Sequence, residues 1–155
     1  MPLRYTDLLA QARASVRELM PWDLAAQLAA AEPPLVLDVR EPREFAALRI
    51  AGALNVPRGV LEQASEWDYD ETEPALAGSR ARAIVIVCRS GNRSLLAAQT
   101  LQQLGFADVI SLATGLRGWN DAEQPLVDGD GRALDADTAE ALLAPRLRQE
   151  QRRPR

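Results

Sequence analysis

The one cysteine of this chain, Cys88, closes the apolar run "AIVIV" and opens the heptapeptide "CRSGNRS", residues 88–94. The thiolate rather than the thiol is the nucleophile, and a helix start or neighbouring cations lower a cysteine's pKa from about 8.5 to roughly 3.5–7.5. This stretch offers both. Arg89 and Arg93 bring positive charge, Gly91 lets the backbone curl with positive φ, and Ser90, Asn92 and Ser94 are small hydrogen-bond donors. The pattern predicts a loop that cradles a sulfur anion together with an anionic substrate. A lone cysteine behind a valine-rich strand is ordinarily a small buried hydrophobe. Two arginines and a glycine directly after it turn the reading toward chemistry.

What the chain lacks narrows that chemistry. All 18 basic residues are arginine, there is no histidine, and the formal charge is −4. Without histidine, the commonest general base and metal ligand are missing, which argues against triad hydrolysis and histidine-based zinc chemistry. The acidic run from Glu66 to Glu73 and the "DGDG" at 128–131 lack calcium-loop spacing, so no metal and no cofactor are expected. One cysteine cannot form an intrachain disulfide, and no apolar stretch has the length of a signal core or a membrane span. A cytoplasmic chain with neither a membrane nor a nucleic-acid partner is the expectation.

The elements that must position the loop follow from periodicity. "LVLDV", "AIVIV" and "DVISL" are short, apolar and bounded by turn chemistry, as buried parallel strands are. A short extended "ALNVP" precedes Pro57. Leu8, Leu9, Ala12, Val16 and Leu19 form one face of a first helix, and Pro21 starts a second that Pro33 and Pro34 close. After the heptapeptide, Leu95, Leu96, Ala98, Leu101 and Leu104 make a helical stripe that Gly105 ends as a left-handed cap. Residues 65–78 read as an exposed acidic loop, "ATGLRGWNDAEQPL" as a turn and short helix, "VDGDGRAL" as a hairpin-type turn, and "DADTAEALLAPRL" as a last helix. Strands alternating with helices predict an α/β fold, a central sheet flanked by helices on both faces. In such sheets ligands bind beyond the carboxyl ends of the strands, where Cys88 falls.

Four stretches together resemble the rhodanese-like sulfurtransferases: "LVLDVREPREF", "RIAGALNVP", "IVIVCRSGNRS" and "LATGLRGW", in that family's order over about residues 35–125. The resemblance implies a rhodanese-like α/β domain with a central parallel sheet. Residues 1–34 then form a helical extension packed on the domain, and residues 126–155 a C-terminal helix and basic tail. Cys88 matches the family's nucleophile, which carries a persulfide, and Arg89, Ser90, Gly91, Asn92 and Arg93 match the rest of its six-residue loop. One departure is Arg49, where the family commonly has histidine; the side chain is expected to pair with an acid.

The implied activity is thiosulfate sulfurtransferase-type transfer of a sulfane sulfur to cyanide or a thiol through the Cys88 persulfide. Sulfite is a good leaving group, so no proton donor is obligatory, in keeping with the missing histidine. Cysteine-dependent phosphatases place five residues between nucleophile and arginine; here four separate Cys88 from Arg93, and Ser94 stands where a phosphatase needs its arginine. A persulfide carrier in a protein relay, fed by a cysteine desulfurase or drained by a thioredoxin, uses the same loop and stays open as the alternative. A silent regulatory domain does not suit the intact cysteine and arginine. Outside the loop, Asp38 and Arg40 read as structural support through an internal hydrogen-bond or ion-pair network with Glu41 or Glu44. Arg58 is a candidate for the pocket rim, Trp119 for core packing, and the tail arginines for a solvated segment.

Overall fold

The computed structural model describes residues 2–155. Five strands build one sheet: β1 (Arg17–Leu19), β2 (Leu35–Asp38), β3 (Leu54–Asn55), β4 (Ala83–Val87) and β5 (Asp108–Leu112). Their order is β1-β5-β4-β2-β3, and every pairing is parallel. The helices are α1 (Tyr5–Ser15), α2 (Pro21–Leu28), α3 (Pro42–Ala47), α4 (Leu61–Ala64), α5 (Pro74–Ala77), α6 (Asn92–Gln103), α7 (Gly115–Asp121) and α8 (Ala136–Leu143).

Because strand side chains alternate, β4 feeds both faces of the sheet. Ile84 and Ile86 enter one core with Leu9 and Ala12 of α1, Leu61 of α4, Leu76 of α5 and Leu95 and Leu101 of α6. Val85 and Val87 enter the other, with Leu24 of α2, Leu116 and Trp119 of α7 and Leu143 of α8. Helices therefore cover both faces, as the sequence pattern predicts. The Trp119 indole packs there and donates to the Pro125 carbonyl at 2.8 Å. Among the described residues, no helix is long and apolar enough to cross a membrane.

The chain leaves β4 toward β5 on one side, while β2 continues to β3 on the other. The reversal opens a crevice between the carboxyl ends of β2 and β4. The segments after Asp38 and after Val87 meet across it.

The N-terminal segment departs from the sequence reading. α1 stops at Ser15, and Arg17–Leu19 joins the sheet edge opposite Ile110–Leu112. Val16 belongs to one core and Leu19 to the other. Three residues apart in extended chain they point to opposite faces, whereas a helix would place them on one. The first 34 residues thus contribute a strand as well as helices. Likewise α2 ends at Leu28, short of the prolines, and the acidic loop contains α5, whose Leu76 is fully buried. Beyond α7, Val127 bridges both Arg49 and Ala133, closing the expected turn over Asp128–Arg132 before α8.

Under the crevice lies a buried ion pair. Arg40 and Asp38 are 1% and 0% exposed, with Nη2 and Oδ2 2.8 Å apart. The guanidinium also donates to the carbonyls of Leu48 and Glu44, and the Asp38 carboxylate accepts from the Arg40 N–H. Asn55 donates to the carbonyls of Asp38 and Arg40, tying β3 to the turn. Both charged side chains thus have their partners within the protein at the end of β2. Removing one partner leaves an uncompensated buried charge, so Arg40→Ala is expected to lower the unfolding free energy by about 3–5 kcal/mol in urea titration. The pair replacement Asp38→Leu/Arg40→Met is expected to cost clearly less than the single change; an equal or greater loss would contradict this account.

Candidate active site

Cys88 follows β4 directly, and residues 88–91 turn the chain into α6. Gly91, at φ 96°, is the N-cap of α6, and this positive φ suits a residue without Cβ. The curl brings two backbone donors onto one sulfur. The N–H groups of Gly91 and Ser94 lie 3.1 and 3.3 Å from Cys88 Sγ. The thiol in turn donates to Ser94 Oγ at 3.3 Å, and that hydroxyl shares a 2.9 Å hydrogen bond with Ser111 of β5. Cys88 is only 1% exposed. The sulfur therefore sits beneath the surface, held by the start of a twelve-residue helix whose first N–H groups have no partner within the helix.

The carbonyls at the start of the loop have partners of their own. Those of Cys88 and Arg89 accept from Leu116 and Arg117 at 2.8 and 3.0 Å, the free donors of the first turn of α7. Gly115 makes this approach possible. It has φ 61°, and a Cβ there would stand 2.5 Å from the Cys88 oxygen and 2.6 Å from the Arg89 carbonyl carbon.

The two arginines of the loop have different surroundings. Arg93 makes a two-pronged ion pair with Glu44 of α3, at 2.8 and 2.9 Å. The hydrogen bond to Arg93 is the largest effect on Glu44, and it holds that carboxyl down from 4.5 to about 2, against the opposing effect of burial. Glu44 pushes Arg93 upward in return. The charge of Arg93 is thus shared with a carboxylate as well as with the sulfur's surroundings. Arg89 instead lines two clefts at the loop's mouth. One, of ≈ 440 Å³, also has Tyr5, Arg43, Ser90, Asn92 and Arg93 on its walls. The other, of ≈ 400 Å³, reaches Arg146. Arg89, Ser90, Asn92 and Arg93 therefore line one shared cleft.

Two expectations are corrected. Arg58 is not on this rim: it donates to Glu62 and to Thr100, which lies two turns along α6 from the loop. Its guanidinium follows the flank of the helix because Glu62 and Thr100 offer acceptors there. Among the described residues Arg49 pairs with no acid; it donates to the carbonyls of Phe45 and Gly129 and stacks 4.7 Å over the Phe45 ring. Sequence reading also missed Ser111 and the Glu44–Arg93 pair. A polar residue in the buried strand "DVISL" is the signal for the first; for the second, two residues 49 positions apart offer none.

The rhodanese-like domain profile matches residues 21–122, about two thirds of the chain. The chain belongs to the rhodanese-like family. This rhodanese-like protein is 33% identical to a sulfurtransferase of Allochromatium vinosum over 117 residues, covering 75% of this chain and 99% of that one. It is 34% identical to the putative sulfur carrier protein YrkF of Bacillus subtilis over 84 residues, 54% of this chain and 40% of that protein. It therefore spans less than half of the Bacillus relative. A solved structure from Rhodopseudomonas palustris, a protein of unknown function described as a possible tyrosine phosphatase, superposes with TM-score 0.70 at 29% identity, over 81% of this chain and 98% of that one. The match begins at Pro21, so it takes in α2 but neither α1 nor α8.

Two outcomes test this geometry. Gly115→Ala is expected to lower the thermal midpoint and speed hydrogen exchange at the Leu116 and Arg117 amides; unchanged exchange would mean the loop does not depend on that approach. For Glu44, the folded pKa lies below the unfolded one, so its contribution is present above pH 4.5 and is lost as pH falls toward 2. The stability gap between the natural chain and Glu44→Gln, followed by urea titration, is expected to shrink over that window.

Proposed function

We propose that this rhodanese-like protein moves a sulfane sulfur from thiosulfate, or a similar small anionic donor, to a thiophilic acceptor through a persulfide on Cys88. The observation that carries the proposal is the pair of backbone N–H groups, from Gly91 and Ser94, converging on Cys88 Sγ. Such donors favour the anion and need no reorganisation as charge moves.

In the first half-reaction, the Cys88 thiolate attacks the outer sulfur of thiosulfate. A new S–S bond forms, the donor's own S–S bond breaks, and its electron pair leaves with sulfite. In the second half-reaction, cyanide or a thiolate attacks the outer sulfur of the persulfide, and the electron pair of the broken bond returns to Cys88 Sγ. This is covalent catalysis with two separate half-reactions. An S–S bond of about 2.05 Å moves the reacting sulfur outward from the buried Sγ toward the rim. Arg89 at the opening supplies a cation for the donor's sulfonate end. Neither step calls for a general acid, which suits a chain without histidine.

Phosphate chemistry fits less well. Ser94 occupies the position at which the phosphatase arginine is required, and it is buried between Cys88 and Ser111. Arg93, one place earlier, is held by Glu44. A relay reading has its own support in the sulfur-carrier name of the Bacillus relative. There Cys88 would receive sulfur from a protein such as a cysteine desulfurase and pass it to a partner such as a thioredoxin. Domain limits of 35–125, with terminal extensions on either side, and a cytoplasmic location belong to the same proposal.

Intact-protein mass spectrometry before and after thiosulfate tests the cycle. The natural chain is expected to gain one sulfur that cyanide removes, and Cys88→Ala is expected to gain none. Loading by a cysteine desulfurase but not by thiosulfate would select the relay. Hydrolysis of an aryl phosphate by the natural loop would overturn the sulfur reading.

A further inference from the structure

The hydrogen bonds at the cysteine continue past the sulfur. Cys88 Sγ meets the Ser94 hydroxyl at 3.3 Å, and Ser94 Oγ meets the hydroxyl of Ser111 at 2.9 Å. Cys88 is 1% exposed and both serines 0%. Among the described residues, Ser94 is the side-chain partner of Ser111, and Cys88 and Ser111 are the side-chain partners of Ser94. Ser111 stands on β5, 17 positions from Ser94, beside the buried Ile86 of β4 and on the strand face to which Val109 also belongs. Its other neighbour on the sheet, Glu18 of β1, turns to Arg13. A hydroxyl on so apolar a face costs free energy unless a partner compensates it. An apolar residue at 111 would serve packing alone.

Ionisation of the sulfur reverses what it needs from its neighbour. The thiol S–H donates to Ser94 Oγ, and Ser94 can turn its own O–H to Ser111. The thiolate has no hydrogen to give, so the Ser94 O–H must face Sγ beside the N–H groups of Gly91 and Ser94. The Ser94 oxygen then needs a donor, and Ser111 is in place to supply it. A hydroxyl both donates and accepts, and a separation of 2.9 Å suits either direction. The thiol proton leaves to solvent, while the two hydroxyl hydrogens only rotate about their C–O bonds. A chain of hydrogen bonds that ends on an anion is stronger than the same chain ending on a thiol, because each bond polarises the next. The hydroxyl of Ser111 therefore favours the thiolate over the thiol.

We infer that Ser111 is a positioning residue for the reaction, holding the Ser94 hydroxyl with its hydrogen toward Cys88 Sγ whenever the sulfur is anionic. The inference rests on Cys88 as the nucleophile of the sulfur-transfer reading above and adds a residue of β5 to its machinery. Both half-reactions draw on it. The thiolate that attacks the donor, and the thiolate released when the acceptor takes the outer sulfur, are the same species, held by two N–H groups and one O–H. Ser111 does not touch the sulfur and acts through Ser94.

The test follows the ultraviolet absorbance of the thiolate against pH in the full chain, corrected with Cys88→Ala. There is one cysteine, so the signal has one source. In Ser111→Ala the midpoint is expected to rise by about one pH unit, a tenfold change in the ionisation equilibrium. Ser111→Thr keeps the hydroxyl and is expected to stay near the natural midpoint. Ser94→Ala is expected to raise the midpoint at least as far, and adding Ser111→Ala to it to change nothing more, because the link to the sulfur is already cut. The charged and titratable groups on the surrounding elements are common to all these variants and cancel: the Asp38–Arg40 and Glu44–Arg93 pairs, Arg89, Arg117 of α7 and Tyr5 of α1. Urea titration checks that each variant is folded. An unmoved midpoint in Ser111→Ala, an equal rise in Ser111→Thr, or a further rise in the double variant would each overturn the inference. Thiosulfate loading of the same samples keeps the two readings apart. A moved midpoint without loading removes only the thiosulfate donor, and loading with an unmoved midpoint removes only the role of Ser111.

Discussion

The active loop depends on how its peptide groups are aimed. In turning from β4 into α6 the loop directs the N–H groups of Gly91 and Ser94 at Sγ and the carbonyls of Cys88 and Arg89 at α7. Buried carbonyls need donors. The first turn of α7 has N–H groups to spare, and Leu116 and Arg117 supply them. Two helices thus share one short stretch of backbone, one accepting it as its N-cap and the other as its hydrogen-bond partner. The left-handed Gly91 and Gly115 are what let both fit.

Much of the framework could be read from composition and period. β4 and β5 coincide with "AIVIV" and "DVISL" because buried strands are short, mostly apolar runs, and α6 begins directly after Gly91, with Asn92, Arg93 and Ser94 in its first turn. The strand β1 escaped notice because three residues with two exposed side chains carry no period. Its partner on the sheet edge lies more than 90 positions away, and only the assembled sheet shows that an edge is vacant there. Similarly, the loop's residue types announce a sulfur cradle, but not how its cations are divided. Arg93 could be read as facing the sulfur until Glu44, on another helix, is seen to hold it. Arg58 failed for the same reason: an acceptor one turn on and another on α6 decide where it lies.

Charge is layered around the crevice. At the bottom, Asp38 and Arg40 neutralise each other out of reach of water. Halfway out, Glu44 and Arg93 do so at partial exposure and join α3 to α6. At the surface, the arginines meet solvent. The two inner pairs fix the relative positions of the segments after β2 and β4.

The sulfur's partners in this arrangement are chiefly main-chain groups. A peptide N–H has no pKa in the working range, and it keeps its place through any substitution that spares the backbone conformation and is not to proline. Positions 89, 90 and 92 can therefore be rewritten over evolutionary time with little effect on the cradle beneath them. Inheritance can keep a reaction while trading its customers.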